Sequence, residues 1–246
     1  MRRRNFGFDG SRCGMPVKGC VMLVRVNASK TAKVGPSQLN ELARQDAFWS
    51  EFKYPGGSKL FEEAEPADYV YQIGEGAVRT YKHLSDGRRQ IGAFYLPGDM
   101  LAVENCEIHR FTAEAIVDTT VRIAKRRRLF AKLANDDIPA ANNVRGLVAR
   151  TLDHVENHLL LLGRQKSLEK VAAFLLEIDR RLEQPEVIVL PMGRLDIADY
   201  LGLTVETVSR ALSSLREERI LSFMGSAHRE IVLHDRSRLA QRATSV

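Results

Sequence analysis

Arg194-Leu-Asp-Ile-Ala-Asp-Tyr-Leu-Gly-Leu-Thr-Val-Glu-Thr-Val-Ser-Arg-Ala-Leu-Ser-Ser-Leu215 is the stretch from which the fold can be read. Ile197, Ala198 and Leu201 form one short apolar helical face. Gly202 supplies a turn, and Thr204 offers a hydroxyl cap to a second helix whose apolar positions Val208, Ala211, Leu212 and Leu215 recur at the helical period. At about 100° per residue, Val205, Glu206, Ser209, Arg210 and Ser213 fall on the opposite, polar side near the start of that second helix. A recognition helix needs this division. An apolar stripe fixes it to its domain, while its first turns carry Arg for guanine O6/N7, Glu for the cytosine amino group and Ser for either role. An ordinary pair of packed helices with a solvated face meets the same spacing, so the rest of the chain has to decide.

Downstream, Ile220-Leu-Ser-Phe-Met, Gly225-Ser and Glu230-Ile-Val-Leu read as a β-hairpin, with His228 and Arg229 where a wing meets phosphates or simply faces water. Upstream, Leu168 to Leu182 reads as a helix capped by Ser167, with Val171, Ala172, Leu175 and Ile178 inward, ending before Pro185. Before it, Val148, Leu152, Val155, Leu159 and Leu162 step by 4, 3, 4 and 3. That mean period of 3.5 suits two helices packed along their lengths, so the stripe is a candidate dimer seam. Leu147, Leu160 and Leu161 lie on other sides of the same helix, which points to a second face packed within the chain.

The texture between residues 54 and 125 is different. Asp68 to Ile73, Gly76 to Lys82, Arg89 to Tyr95 and Ala113 to Lys125 are short strand-like runs, with turn signals at Gly74, Asp86-Gly87 and Pro97-Gly98-Asp99. They predict an antiparallel barrel or roll. Gln38 to Phe52, with Leu39, Leu42, Ala43 and Ala47 at helical spacing, reads as a lead-in helix. Residues 1–37 are basic and aperiodic and read as a disordered extension, and Met15 and Met22 leave open a later translation start.

Charge narrows the function classes less than it first promises. The net charge is +6, but residues 1–35 hold eight Lys and Arg against Asp9 alone, a surplus of seven, so the remainder carries a net −1. Bulk charge therefore does not argue for DNA, and the case rests on the recognition helix. Three cysteines, Cys13, Cys20 and Cys106, are too few for a disulfide framework, and no apolar run approaches the roughly 18 residues of a membrane span. A cytoplasmic protein is expected. No phosphate-cradling Gly-x-x-x-x-Gly-Lys loop, zinc pair or nucleophile motif is visible, so no catalytic residue is assigned and no enzyme is expected.

The order of lead-in helix, β-roll, long helix, second helix, helix-turn-helix and wing resembles the CRP/FNR superfamily of bacterial transcription regulators. Residues 196–210 carry the specific match to its FNR and FixK branch, with Glu206, Ser209 and Arg210 on the Glu-x-x-Ser-Arg base-reading positions. Val205 stands where the CRP branch usually has Arg, which implies an FNR-type TTGAT half-site. Two departures define the kind of member. An oxygen-labile [4Fe-4S] cluster needs four thiolates and only three cysteines are present. In the cyclic-nucleotide branch a ribose-binding Glu follows the Gly-Asp turn and Arg-Ser or Arg-Thr binds phosphate. Here Val103 takes the Glu position, Glu104 is one residue out of register, and Arg110 precedes Phe111, which leaves Arg110 to pair within the roll. What remains most resembles a FixK-like regulator, with no cofactor or metal and a role in micro-oxic, respiratory or nitrogen-fixation gene control.

The resulting expectation is an α+β chain in four parts. Residues 1–37 form the extension, 38–134 a cyclic-nucleotide-binding-like β-roll, 135–163 the dimerisation helix and 164–246 the winged helix-turn-helix. Thr204, Val205, Glu206, Thr207, Ser209 and Arg210 are the DNA-binding candidates, and the implied partners are palindromic double-stranded DNA, RNA polymerase and a second copy of the chain. The rival inside the superfamily is a ligand-gated sensor of a cyclic nucleotide, haem or nitric oxide, the last two resting on His83, His109 and Cys106. Cys106 is otherwise read as an inert buried thiol, with a redox role as the alternative.

Overall fold

The computed structural model describes residues 49–103, 106–129, 152–225 and 229–244. Eight strands come first: β1 (Ser50–Tyr54), β2 (Lys59–Phe61), β3 (Tyr69–Glu75), β4 (Val78–His83), β5 (Arg89–Tyr95), β6 (Met100–Leu101), β7 (Thr112–Ala115) and β8 (Thr119–Lys125). They form two antiparallel four-stranded sheets, in the orders β1-β8-β3-β6 and β2-β7-β4-β5. Tyr54, Phe61, Tyr71, Ile73, Val78, Leu101 and Val121 fill the space between them. Gly76 makes the turn from β3 to β4 possible. Its φ is +85°, and a Cβ there would lie 2.5 Å from the Asp118 carbonyl oxygen.

The expected lead-in helix does not reach Phe52. Residues 38–48 lie outside the described part, and Ser50 to Phe52 are strand, with Phe52 opposite Val121 and Tyr54 opposite Thr119. Aromatic side chains facing the roll interior are stabilised more by cross-strand packing than by another turn of helix. The run from Ala113 to Lys125 divides into β7 and β8, and β2 and β6 were too short to be read from pattern.

Helical residues 126–129 follow β8, and residues 152–163 are helical again. Val148 lies outside the described residues. Then come α1 (Ser167–Arg181), β9 (Ile188–Val189), α2 (Arg194–Leu201), α3 (Val205–Glu217), β10 (Leu221–Met224), β11 (Glu230–Leu233) and α4 (Arg236–Thr244). A third, three-stranded sheet runs β10-β11-β9. Ser167 is not the cap expected of it: it is the first helical residue, and Lys166 precedes it in extended conformation with no side-chain cap. Val171, Ala172, Leu175 and Ile178 are buried as expected, joined by Phe174. No helix among the described residues is long and apolar enough to cross a membrane.

One apolar core joins roll and helices. Ile91, Phe94 and Leu96 of the roll belong to the same cluster as Leu161, Phe174, Tyr200 and Leu212. At the centre Phe94, Phe174 and Tyr200 meet with ring centroids 5.0 to 6.2 Å apart. His158 stacks on Tyr200 at 4.0 Å and donates from Nε2 to the Tyr200 carbonyl at 2.9 Å. Burial holds the His158 imidazole below its ordinary value of 6.5, the neighbouring His154 adds to the effect, and the Tyr200 carbonyl and Glu177 oppose it. Because the unfolded chain then binds the proton at higher pH than the folded one, His158 makes stability fall as pH drops below about 6.5. Thermal melts at pH 7 and pH 5.5 should show a larger acid loss for the parent than for His158→Phe, which keeps the stack and cannot titrate; equal losses would remove His158 as a cause.

Candidate nucleic-acid interface

α2 ends where Gly202 adopts φ 62°, a left-handed conformation that costs glycine nothing, and the Leu203 N–H closes back on the Ala198 carbonyl at 3.0 Å. The chain leaves this turn through Thr204, whose Oγ1 accepts from the Thr207 N–H at 3.2 Å and so starts α3. Val208, Ala211, Leu212 and Leu215 are buried beneath it. The helix-turn-helix expected from the sequence is therefore present.

Of the DNA-binding candidates, Thr204, Glu206 and Arg210 are exposed on the outer side of α3, and Ser209 is half-buried beside them. Among the described residues the Arg210 guanidinium makes no ion pair. The Glu206 carboxylate lies below its ordinary value, held first by its own backbone N–H at the helix start, then by the Thr204 hydroxyl and Arg210. It therefore stays an acceptor at neutral pH. Two further candidates are less exposed, and of these Val205 was expected on the outer side. Val205 is half-buried against the core, because the first turn of α3 leans its apolar side chain inward. Thr207 is half-buried, and its hydroxyl lies 3.0 Å from that of Thr204.

The orientation of α3 depends on α2, and α2 is tied to the roll by charge. The Asp196 carboxylate accepts from Arg79 at 2.8 Å and Arg89 at 2.7 Å, and also from the Gly193 N–H at 3.3 Å. Arg89 continues to Asp199 at 2.8 Å, Gln90 donates to the Asp199 carbonyl, and Arg79 pairs with Glu114, which also accepts from the Tyr81 hydroxyl. Sequence reading passed over these residues because partners 107 and 117 positions apart leave no local signal.

Helix 152–163 has two faces. His158 and Leu161 are buried, while Leu152, Val155 and Leu159 are 55, 57 and 69% exposed. Leu162, the last residue of the expected seam, is half-buried beside the turn, 3.8 Å from where a Cβ on Gly202 would lie. It thus serves the chain's own packing as well.

A cavity of about 660 Å³ lies between β5, the turn at Gly98-Asp99, residues 106–111, helix 152–163 and α1. Arg181 crosses it to bond Asp99 and the Phe94 carbonyl, so the chain's own cation occupies the Gly-Asp turn. Burial pushes the nearby Glu177 up, but His154, Arg181 and Arg180 outweigh it and leave the carboxylate below its ordinary value. Arg110 borders the cavity and is exposed, and among the described residues it does not make the ion pair expected for it within the roll. Cys106 is half-buried rather than buried, because it sits in the loop over the cavity, where Arg126 donates to its carbonyl at 2.7 Å. His109 stacks on Phe61 at 3.6 Å, His83 is exposed at the end of β4, and among the described residues no three potential metal ligands converge. Cys13, Cys20, Glu104 and His228 lie outside the described residues. Removing the cap should test the local account: Thr204→Ala is expected to lower stability by about 0.5 to 2 kcal/mol in denaturant titration, because the Thr207 N–H then loses its acceptor.

Comparison with known proteins agrees with this architecture. Residues 169–242 match the Crp-like helix-turn-helix domain, and residues 51–136 match the cyclic nucleotide-binding domain. The nitrogen fixation regulation protein FixK of Rhizobium meliloti (strain 1021) is 40% identical over 169 residues, covering 69% of this chain and 76% of that protein. The protein of the same name from Azorhizobium caulinodans is 42% identical over 187 residues, 74% of each chain. The solved structure of FixK2 from Bradyrhizobium japonicum superposes with a TM-score of 0.75 at 52% identity, covering 80% of this chain and 98% of that one.

Proposed function

The chain belongs to the CRP/FNR family of bacterial transcription regulators, as a FixK-like member, and from that premise we propose that it binds a TTGAT-type palindrome as a homodimer. The observation that carries the proposal is the pairing of exposed Glu206 and Arg210 on a capped α3 with a second, apolar stripe left exposed on helix 152–163. A two-fold axis along that stripe would present two copies of α3 to successive major-groove faces roughly 34 Å apart.

In this reading Arg210 holds a guanine of each half-site by two hydrogen bonds, Glu206 accepts from a cytosine amino group, and Ser209 touches a neighbouring T·A pair. Thr204, as the cap, and the half-buried Val205 and Thr207 of the first turn would border the groove edge with whatever surface the core leaves them. The four-part division, with a roll at 38–134, a dimerisation helix at 135–163 and a winged domain at 164–246, assigns sensing, pairing and DNA contact to separate stretches. The relatives named as nitrogen fixation regulation proteins support a regulatory role of that kind for this chain, and we infer that it acts in the cytoplasm as an activator that meets RNA polymerase. Gating by a small ligand is the second reading, and the cavity beside Arg110 favours it. A purified protein that binds DNA equally with and without cyclic nucleotide, and that lacks a Soret band, would remove it.

Two measurements test the main proposal. Leu152→Glu with Leu159→Glu should give monomers in sedimentation, since burying such side chains is worth about 1.5 to 3 kcal/mol each and a charge reverses that gain; an undiminished dimer would overturn the seam. Arg210→Ala should cost about 1 to 3 kcal/mol at each half-site and leave only weak, salt-sensitive binding. If it weakens every sequence alike at fixed salt, Arg210 is a phosphate contact.

A further inference from the structure

The base-reading assignment leaves one cation of the motif unused. Arg194 is the first residue of α2 and is half-buried. Its Nη1 donates to Ser209 Oγ at 3.1 Å, and its guanidinium lies over the Phe223 ring of β10, 5.8 Å from the centroid. Among the described residues no carboxylate pairs with it. Arg229 adds a second positive group, its Nη2 lying 4.0 Å from where a Cβ on Gly193 would be. Three elements therefore fix one guanidinium against the hydroxyl of a residue on the outer side of α3.

A serine hydroxyl has one proton to donate and two lone pairs to accept with. Once a cation fills one lone pair, the oxygen is a poorer acceptor and its own O–H a stronger donor, because linked hydrogen bonds polarise each other in the same direction. We propose that Arg194 is a specificity-determining residue that acts through Ser209, committing the hydroxyl to donate to DNA, so that Ser209 selects a base-edge acceptor such as thymine O4 over an amino group such as cytosine N4. The inference rests on α3 being the recognition helix. A cytosine in place of that thymine turns an amino group towards an oxygen already engaged by a guanidinium, whereas the thymine oxygen meets a donor in a positive field. Arg194 is a positioning residue in this scheme, and Phe223 holds it in place by stacking.

The test measures binding at one salt concentration to a palindrome and to variants changed at each position in both half-sites, for the parent, Arg194→Met, Ser209→Ala and the double variant. Ser209→Ala marks the position that Ser209 reads, as the one where discrimination flattens. Arg194→Met is expected to reduce the thymine-over-cytosine preference at that same position by roughly five- to tenfold. It should leave the guanine preference due to Arg210 unchanged, and the double variant should lose no more than Ser209→Ala alone. If Arg194→Met weakens all palindromes by one factor, or if the double variant loses the product of the two single effects, Arg194 acts independently of Ser209 and the proposal falls. If instead Ser209→Ala flattens no position and Arg210→Ala weakens all sequences equally, the recognition-helix reading itself fails, a different result. Arg194→Gln, which keeps an N–H donor without the charge, serves if the Met variant does not fold; an undiminished thymine preference in it would show that the cation is not needed and would also overturn the proposal.

Discussion

The position of α3 depends on one buried carboxylate. Asp196 is 7% exposed, and a charge taken that far out of water costs several kcal/mol unless it is paired and hydrogen-bonded. Here two guanidinium groups and a backbone N–H satisfy it. The same carboxylate closes the first turn of α2 and receives Arg79 from β4 and Arg89 from β5. α2 can therefore take up this orientation only where the roll supplies both cations. Glu114 and Asp199 extend the alternation of sign, so each arginine keeps a partner of its own outside Asp196.

Apolar packing makes that link rigid. Phe94 of β5, Phe174 of α1, Tyr200 of α2 and His158 of helix 152–163 meet at one point, so four elements share a junction with no slack between them. Close-packed interiors transmit displacement instead of absorbing it. A shift of helix 152–163 would reach Tyr200 through the stacked imidazole and the Gly202 turn through Leu162, and from there α3. The exposed stripe of that helix lies away from His158 and Leu161, so the described core uses only one side of the helix.

Much of the DNA-binding half was legible beforehand, because its signals are local. Thr204 caps, Gly202 turns, and Val208, Ala211, Leu212 and Leu215 are buried, each decided within about four residues. The strands of the roll were legible for the same reason, since alternation and turn residues act over a few positions. The errors fell where a distant surface overrode local preference. Ser50 to Phe52 were drawn into strand by β8, and Lys166 rather than Ser167 precedes α1. Val205 turned inward, and Arg110 makes no ion pair among the described residues. Cys106 was half-uncovered by a loop whose course no pattern records.

The sequence by itself determined that Glu206, Ser209 and Arg210 share the outer side of α3, that Gly202 ends α2 and Thr204 starts α3, and that an apolar stripe runs along residues 148–162. These follow from helical periodicity, capping and turn chemistry, all of which are written over short stretches of chain. Tertiary structure alone decided that Arg194 grips Ser209, that Asp196 serves the roll as well as its own helix, and that the stripe at Leu152, Val155 and Leu159 is left exposed by the described residues. Such contacts join residues 15 to 117 positions apart, and they form only when the packing of whole elements has already brought the side chains within hydrogen-bonding distance.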